Sequence, residues 1–197
     1  MVSLTVGPFD VEVALRAKAE VSGDTWLAAL SAEGIMVGMF DGAGSGEAAR
    51  EVSARARSTV SAARLSGQPV EARLVAAHLE LQGSRGCVAS IALIDPNRGT
   101  FSWAGVGNVD GALLTAARPR RLVSSRGMLG VRTPDPIRPE ALRWRKGDLL
   151  VLGTDGARKA FTALPERAPA VARGLAAQWL EAFADPRDDA ALMVVKL

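Results

Sequence analysis

Two segments of the chain share one plan, an apolar run that ends in Asp-Gly: Met39-Phe40-Asp41-Gly42 and Gly153-Thr154-Asp155-Gly156. Such a run delivers a carboxylate to a rigid, partly dry sheet edge, and the glycine lets another stretch of backbone come close. A third acidic pair, Asp188-Asp189, stands at the beginning of an apolar run instead. If that strand pairs antiparallel to the others, its start lies beside their ends and the carboxylates converge. Clustered aspartates repel one another unless cations neutralise them, which points to hard divalent ions such as Mg²⁺ or Mn²⁺ on oxygen ligands. A zinc site lacks its ligands, because the chain has one histidine, His78, and one cysteine, Cys87. Each piece has a plain alternative: Asp-Gly is a common turn signal, and Arg187-Asp188-Asp189 reads equally as a solvated loop. The weight lies in the combination and its order.

The elements that must position these residues follow from periodicity. Val11 to Leu15 and Trp26 to Leu30 read as strands, separated by the turn signal Ser22-Gly23-Asp24. Ile35 to Phe40 is a continuous apolar run, as expected of a strand buried on both faces. Val52, Ala56, Val60 and Ala63 share one face of a helix predicted from Gly46 to about Leu65, about 30 Å long. Gly67-Gln68-Pro69 breaks it, and Leu74, Ala77, His78 and Leu81 mark a second helix from Val70 to Leu81. A β-rich half follows: Cys87 to Ile94, Thr100 to Val106 and Gly111 to Leu114, with hairpin-like connections at 95–99 and at Gly107-Asn108. The segment from Thr133 to Pro139 reads as a loop, Leu142 to Trp144 and Leu149 to Leu152 as strands. Val171, Leu175, Trp179 and Phe183 mark a late helix stopped by Asp185-Pro186-Arg187, and Ala190 to Val195 closes the chain as a strand. Helices in two groups around a β-rich core imply an α+β or layered α/β domain.

Composition narrows the function classes. At 197 residues, 48% apolar and 23% charged, the chain suits one compact domain over 1–197. No window approaches the ~18 apolar residues of a membrane span, and the start lacks the pattern of a signal peptide, so the expectation is a cytoplasmic protein. The net charge of +3 includes a basic group at Arg118, Arg120 and Arg121, but tyrosine is absent and no aromatic interleaves it. Nucleic-acid binding is therefore disfavoured, and the group reads as a solvated arginine-rich loop. A dinucleotide loop at Gly42-Ala43-Gly44-Ser45-Gly46 fails on spacing, since the third glycine comes one place early and Glu47 would oppose a pyrophosphate. His78 reads as a partly buried helix residue rather than an acid catalyst, and Cys87 as core. Trp103 and Trp179 read as packing residues, whereas Trp26, two residues after Asp24, is placed at the border of the cleft.

Ser22-Gly23-Asp24, Asp41-Gly42-Ala43-Gly44-Ser45-Gly46, the run from Gly147 to Gly156, and Asp188-Asp189-Ala190-Ala191 resemble, in order, the motifs of metal-dependent protein phosphatases. The branch they look like is the bacterial SpoIIE and RsbU type, whose glycine-rich connecting segments resemble Trp103 to Asn108 and Gly127-Met128-Leu129-Gly130. The resemblance runs from about residue 20 to the C-terminus and implies an α-β-β-α sandwich with two divalent metals, Mn²⁺ or Mg²⁺, at one end. On that likeness Asp41 bridges both ions, the Gly42 carbonyl and, through water, Asp24 serve the second, and Asp155 and Asp188 complete the first. Asp41, Asp155 and Asp188 then act through the metals and water, while Asp189 and Ser45 support the site from behind. Ser45 stands near the place where distant relatives carry a histidine, so protonation of the leaving group falls to water; the phosphate-holding arginine has only Arg16 as a candidate. Within the branch the chain resembles stand-alone stressosome phosphatases. That implies hydrolysis of phosphoserine and phosphothreonine on STAS-domain partners, with the loop from Thr133 to Pro139 and the arginines near Arg118 meeting acidic surface, by a monomer that binds neither nucleic acid nor membrane. The rival reading is a catalytically weak phosphatase-like module that regulates a signalling partner by binding.

Overall fold

The computed structural model describes residues 1–132, 134, 136–169 and 173–197. Thr133 and Asp135 of the loop read over 133–139, and Val171 of the late helix, lie outside the described residues.

In chain order the strands are β1 (Val2–Val6), β2 (Phe9–Arg16), β3 (Asp24–Ser31), β4 (Gly34–Gly42), β5 (Cys87–Asp95), β6 (Thr100–Val106), β7 (Asp110–Leu114), β8 (Arg120–Leu122), β9 (Glu140–Arg143), β10 (Leu149–Gly153) and β11 (Ala190–Lys196). The α-helices are α1 (Glu47–Val60), α2 (Val70–Glu80), α3 (Arg158–Thr162) and α4 (Leu175–Phe183). The strands form two antiparallel sheets, ordered β1-β2-β11-β10-β7-β8 and β3-β4-β5-β6-β9. Helices α1 and α2 cover the second sheet, and α3 and α4 cover the first. The result is the layered α-β-β-α sandwich expected.

The continuous apolar runs follow from this layering, because each central strand is buried on both faces. In β11, Ala191, Met193 and Val195 enter the core between the sheets, while Ala190, Leu192 and Val194 face α3 and α4. In β4, Ile35, Val37 and Met39 point to the other sheet and Phe40 packs with Val52, Ala56 and Val60 of α1. Each such fully buried aliphatic side chain contributes about 1.5–3 kcal/mol. Antiparallel pairing brings the C-terminal ends of β4 and β10 to the same end of the sandwich as the starts of β3 and β11.

Several expectations need correction. The first helix ends at Val60, about 21 Å long, because the Ser61 hydroxyl donates to the Arg57 carbonyl and Ala62 turns extended; a short 3-10 turn, Ala63–Leu65, follows. Gly107-Asn108 is not a hairpin connection: β6 and β7 lie in different sheets, so this link carries the chain across the sandwich. Arg120 and Arg121 are not in a solvated loop but in edge strand β8, where Arg120 pairs with Glu140 at 3.0 Å and Arg121 donates to the Phe161 carbonyl. Trp26 is half-buried and packs against the core between the sheets. Trp103 is fully buried in that core, and Trp179 packs beneath the helical layer. β1, β8 and α3 were not expected.

Candidate metal centre

Asp24 opens β3 and lies directly opposite Asp41, the penultimate residue of β4. Facing residues of an antiparallel pair share one face, so the two carboxylates stand side by side. Asp24 is 1% exposed and accepts a hydrogen bond from the Thr154 hydroxyl at 2.8 Å through Oδ2, whereas its buried Oδ1 has no hydrogen-bond partner among the described residues. Thr154 follows β10, so this bond ties the ends of the two sheets together. The Ser22 hydroxyl accepts the Asp24 N–H at 3.1 Å, which makes Ser22-Gly23-Asp24 the turn that aims the strand.

Asp155 begins a short 3-10 turn, Asp155–Ala157, just beyond β10. One of its carboxylate oxygens accepts from the Asn108 side-chain amide, and the Asn108 carbonyl accepts from Arg158 at 3.2 Å. Asp188 caps the Asp189 N–H at 2.9 Å, and the Lys18 ammonium lies 4.0 Å from its Oδ1. Asp189, 5% exposed, accepts the backbone N–H groups of Gly23 at 2.7 Å and Lys18 at 2.9 Å. It therefore clamps the loop that leads into Asp24.

Both Asp-Gly glycines sit where another backbone touches them. A Cβ on Gly42 would lie 2.0 Å from the Ala49 carbonyl oxygen of α1, and one on Gly156 would lie 2.0 Å from the Asp189 carbonyl oxygen. The second contact presses the Asp155 turn directly onto the Asp188-Asp189 segment.

The electrostatics record this convergence. Burial pushes Asp24 up to about 7, opposed by the Thr154 hydrogen bond and reinforced by Asp189, Asp155 and Asp188. Burial and then the Asp24 charge push Asp41 up to about 8. Asp155 is raised by burial and by Asp188, with Arg158 opposing. Among the described residues no three acidic, histidine or cysteine side chains close into a chelating group; the carboxylates act on one another through space. The donor set nevertheless fits hard divalent cations, because all of it is oxygen and the orphaned Asp24 Oδ1 is buried beside a carboxylate that ionises with difficulty.

Other candidates lie apart. Ser45 is exposed in the loop before α1. Arg16 ends β2 opposite Ala190, exposed, and Lys18 reaches nearer to Asp188. His78 accepts the Gly130 N–H at 3.1 Å through Nδ1 and so braces α2 against the following loop. Cys87 is a buried core residue. Sequence reasoning assigned no role to Thr154, Asn108 or Lys18; the one local signal was polar Thr154 at the end of a wholly apolar strand.

The family model described as Stage II sporulation protein E (SpoIIE) matches residues 31–197. The chain belongs to the SpoIIE family. This is a family of serine/threonine phosphatases of the PP2C type. Solved structures share the fold over nearly the whole chain. A chain from a structure described as "The bacterial stressosome: a modular system that has been adapted to control secondary messenger signaling" superposes with a TM-score of 0.83 at 23% identity, covering 96% of this chain and 100% of that one. RsbX in complex with magnesium gives 0.80 at 21% identity, covering 96% and 95%. The PP2C domain of SpoIIE from Bacillus subtilis, with a fragment of its regulatory domain, gives 0.81 at 16% identity, covering 98% and 64%. No curated protein matches the chain. Among the described residues no helix is long and apolar enough to cross a membrane.

Proposed function

We propose that this SpoIIE-family chain is a single-domain, divalent-metal-dependent phosphatase that hydrolyses phosphoserine and phosphothreonine on STAS-domain proteins of a stressosome-like complex. The observation that carries the reading is the convergence of Asp24, Asp41, Asp155, Asp188 and Asp189 at one end of the sandwich, with buried Asp24 and half-buried Asp41 held far above the usual carboxylate range. Asp41, which faces Asp24 across the ladder, would serve both ions; Asp24 and the Gly42 carbonyl would serve one, and Asp155 and Asp188 the other. Two divalent ions, Mn²⁺ or Mg²⁺, supply Lewis acidity when bound, acidifying water and neutralising phosphoryl charge.

The chain's own residues do the rest. Thr154 and Asp189 fix Asp24 and its loop, so the carboxylates are positioned before substrate arrives. Asn108 holds Asp155, and Arg158 holds Asn108. Ser45 is exposed in the loop before α1 and is assigned no part in protonating the leaving alkoxide. Hydrolysis of a phosphate monoester needs accelerations far beyond the ~10²–10⁴ of one general base, so a charged centre rather than a single base must carry the reaction.

The STAS assignment rests on likeness to RsbX and to the stressosome structure, and action in the cytoplasm as a monomer belongs to the same proposal. Phosphate release from a phosphorylated STAS-domain protein, with and without Mn²⁺, tests it. The expected kcat/KM is at least ten times that for an unrelated phosphopeptide. Equal rates would reject the STAS assignment, turnover of phosphotyrosine alone would reject the substrate class, and no Mn²⁺-dependent turnover at all would favour the binding-module reading.

A further inference from the structure

Outside the acidic centre, a groove of about 610 Å³ runs between the segment after β8 and the segment before β9, lined by Val123, Ser124, Arg126, Pro136, Arg138 and Glu140. Its charge is positive. Glu140 is neutralised, since Oε2 accepts from Arg120 at 3.0 Å and Oε1 accepts the Val123 N–H at 2.8 Å. Arg126 and Arg138 are exposed, and among the described residues neither guanidinium has a carboxylate partner. Val123 is 74% exposed and offers an apolar step beside them.

The groove is joined to the acidic centre. Ser125 bridges Val106 in parallel, donating to the Gly105 carbonyl at 2.8 Å and accepting from Gly107 at 2.9 Å, and the Ser124 hydroxyl donates to the Val109 carbonyl at 2.8 Å. Two residues past Val106 stands Asn108, whose amide donates to Asp155. The groove mouth therefore adjoins the segment that holds Asp155.

We propose that this groove seats an acidic stretch of the phosphoprotein substrate, two to five residues from the phosphorylated side chain. The proposal rests on the phosphatase reading for the position of the phosphate and adds which substrates that site prefers. Two guanidiniums without a carboxylate partner among the described residues draw carboxylates in an extended peptide and steer its approach. No aromatic side chain is among the lining residues, so the groove has no stacking platform for nucleic acid.

Fluorescence anisotropy tests the groove without requiring turnover. In Mg²⁺, a labelled phosphoserine peptide with glutamates at those positions should bind at least tenfold more tightly than its lysine counterpart, with the difference shrinking as salt rises. The R126E/R138E variant should reverse that order, and R126Q/R138Q should abolish the preference without reversing it. An unchanged order in both variants overturns the proposal. So does an oligonucleotide or anionic vesicle that binds as tightly with the same arginine dependence. If the preference reverses as expected while wild type releases no phosphate from any phosphopeptide with Mn²⁺, the groove stands and the phosphatase reading falls. Turnover without any charge preference has the opposite meaning.

Discussion

Asp24 and Asp41 stand directly opposite each other where β3 and β4 begin and end their ladder, two carboxylates on one face of a sheet edge. Like charges in facing positions destabilise a sheet, and here burial adds to the cost. The arrangement persists because Thr154 and Asp189, from the other sheet, hold Asp24 and its loop in place.

Removing one of the facing charges separates function from stability. Asp41→Asn should abolish metal-dependent hydrolysis of an aryl phosphate, and EDTA should do the same to the wild type. The metal-free variant should melt about 2–8 °C higher than metal-free wild type at pH 8, from relief of roughly 1–2 kcal/mol of repulsion. Full activity of the variant, or activity indifferent to chelation, would sink the two-metal reading.

A pH series reads the same repulsion. Asp24 and Asp41 ionise near 7 and 8 in the folded chain and near 3.9 when unfolded. Between about pH 4 and 8 the folded metal-free chain therefore binds more protons, and its stability falls as pH rises through that window. Thermal melts from pH 5 to 8.5 should show this decline, and saturating Mg²⁺ should flatten it with release of protons on binding. A metal-free melting temperature that rises over this range would contradict the raised carboxylates.

Ser45 is exposed before α1. Ser45→Ala should change kcat on an aryl phosphate by less than tenfold, well below the ~10²–10⁴ expected for loss of a general acid. A hundredfold loss would give the hydroxyl a catalytic role.

Asp189 has a positional task, to accept the N–H groups of Lys18 and Gly23. Asp189→Ala leaves a buried N–H unpaired and should cost about 2–3 kcal/mol, measurable in urea unfolding. Gly156→Ala drives a Cβ against the Asp189 carbonyl and should cost at least as much, with loss of metal-dependent turnover. Wild-type stability of Asp189→Ala would mean that the carboxylate does not hold the Lys18–Gly23 loop, and wild-type stability of Gly156→Ala that the Asp155 turn is not packed on the Asp188-Asp189 segment.

Much of this architecture is legible along the chain, because burial leaves a local trace. The apolar runs at Ile35–Phe40, Leu149–Leu152 and Ala190–Val195 are strands covered on both faces, and the Asp-Gly pairs mark where those strands end in carboxylates and close backbone contact. Short edge strands β1 and β8 leave no such trace, since half of each faces solvent and Arg120-Arg121 reads as polar loop. The crossing at Gly107-Asn108 was equally hidden: a tight turn looks the same whether the next strand pairs with the last one or joins the opposite sheet. The centre itself is tertiary. Thr154 meets Asp24 across 130 positions of chain and Asp189 meets Gly23 across 166, contacts that only the stacking of two sheets and their antiparallel register can bring about. Residue types announce that carboxylates need a cation, whereas the stacked sheets decide which carboxylates share one.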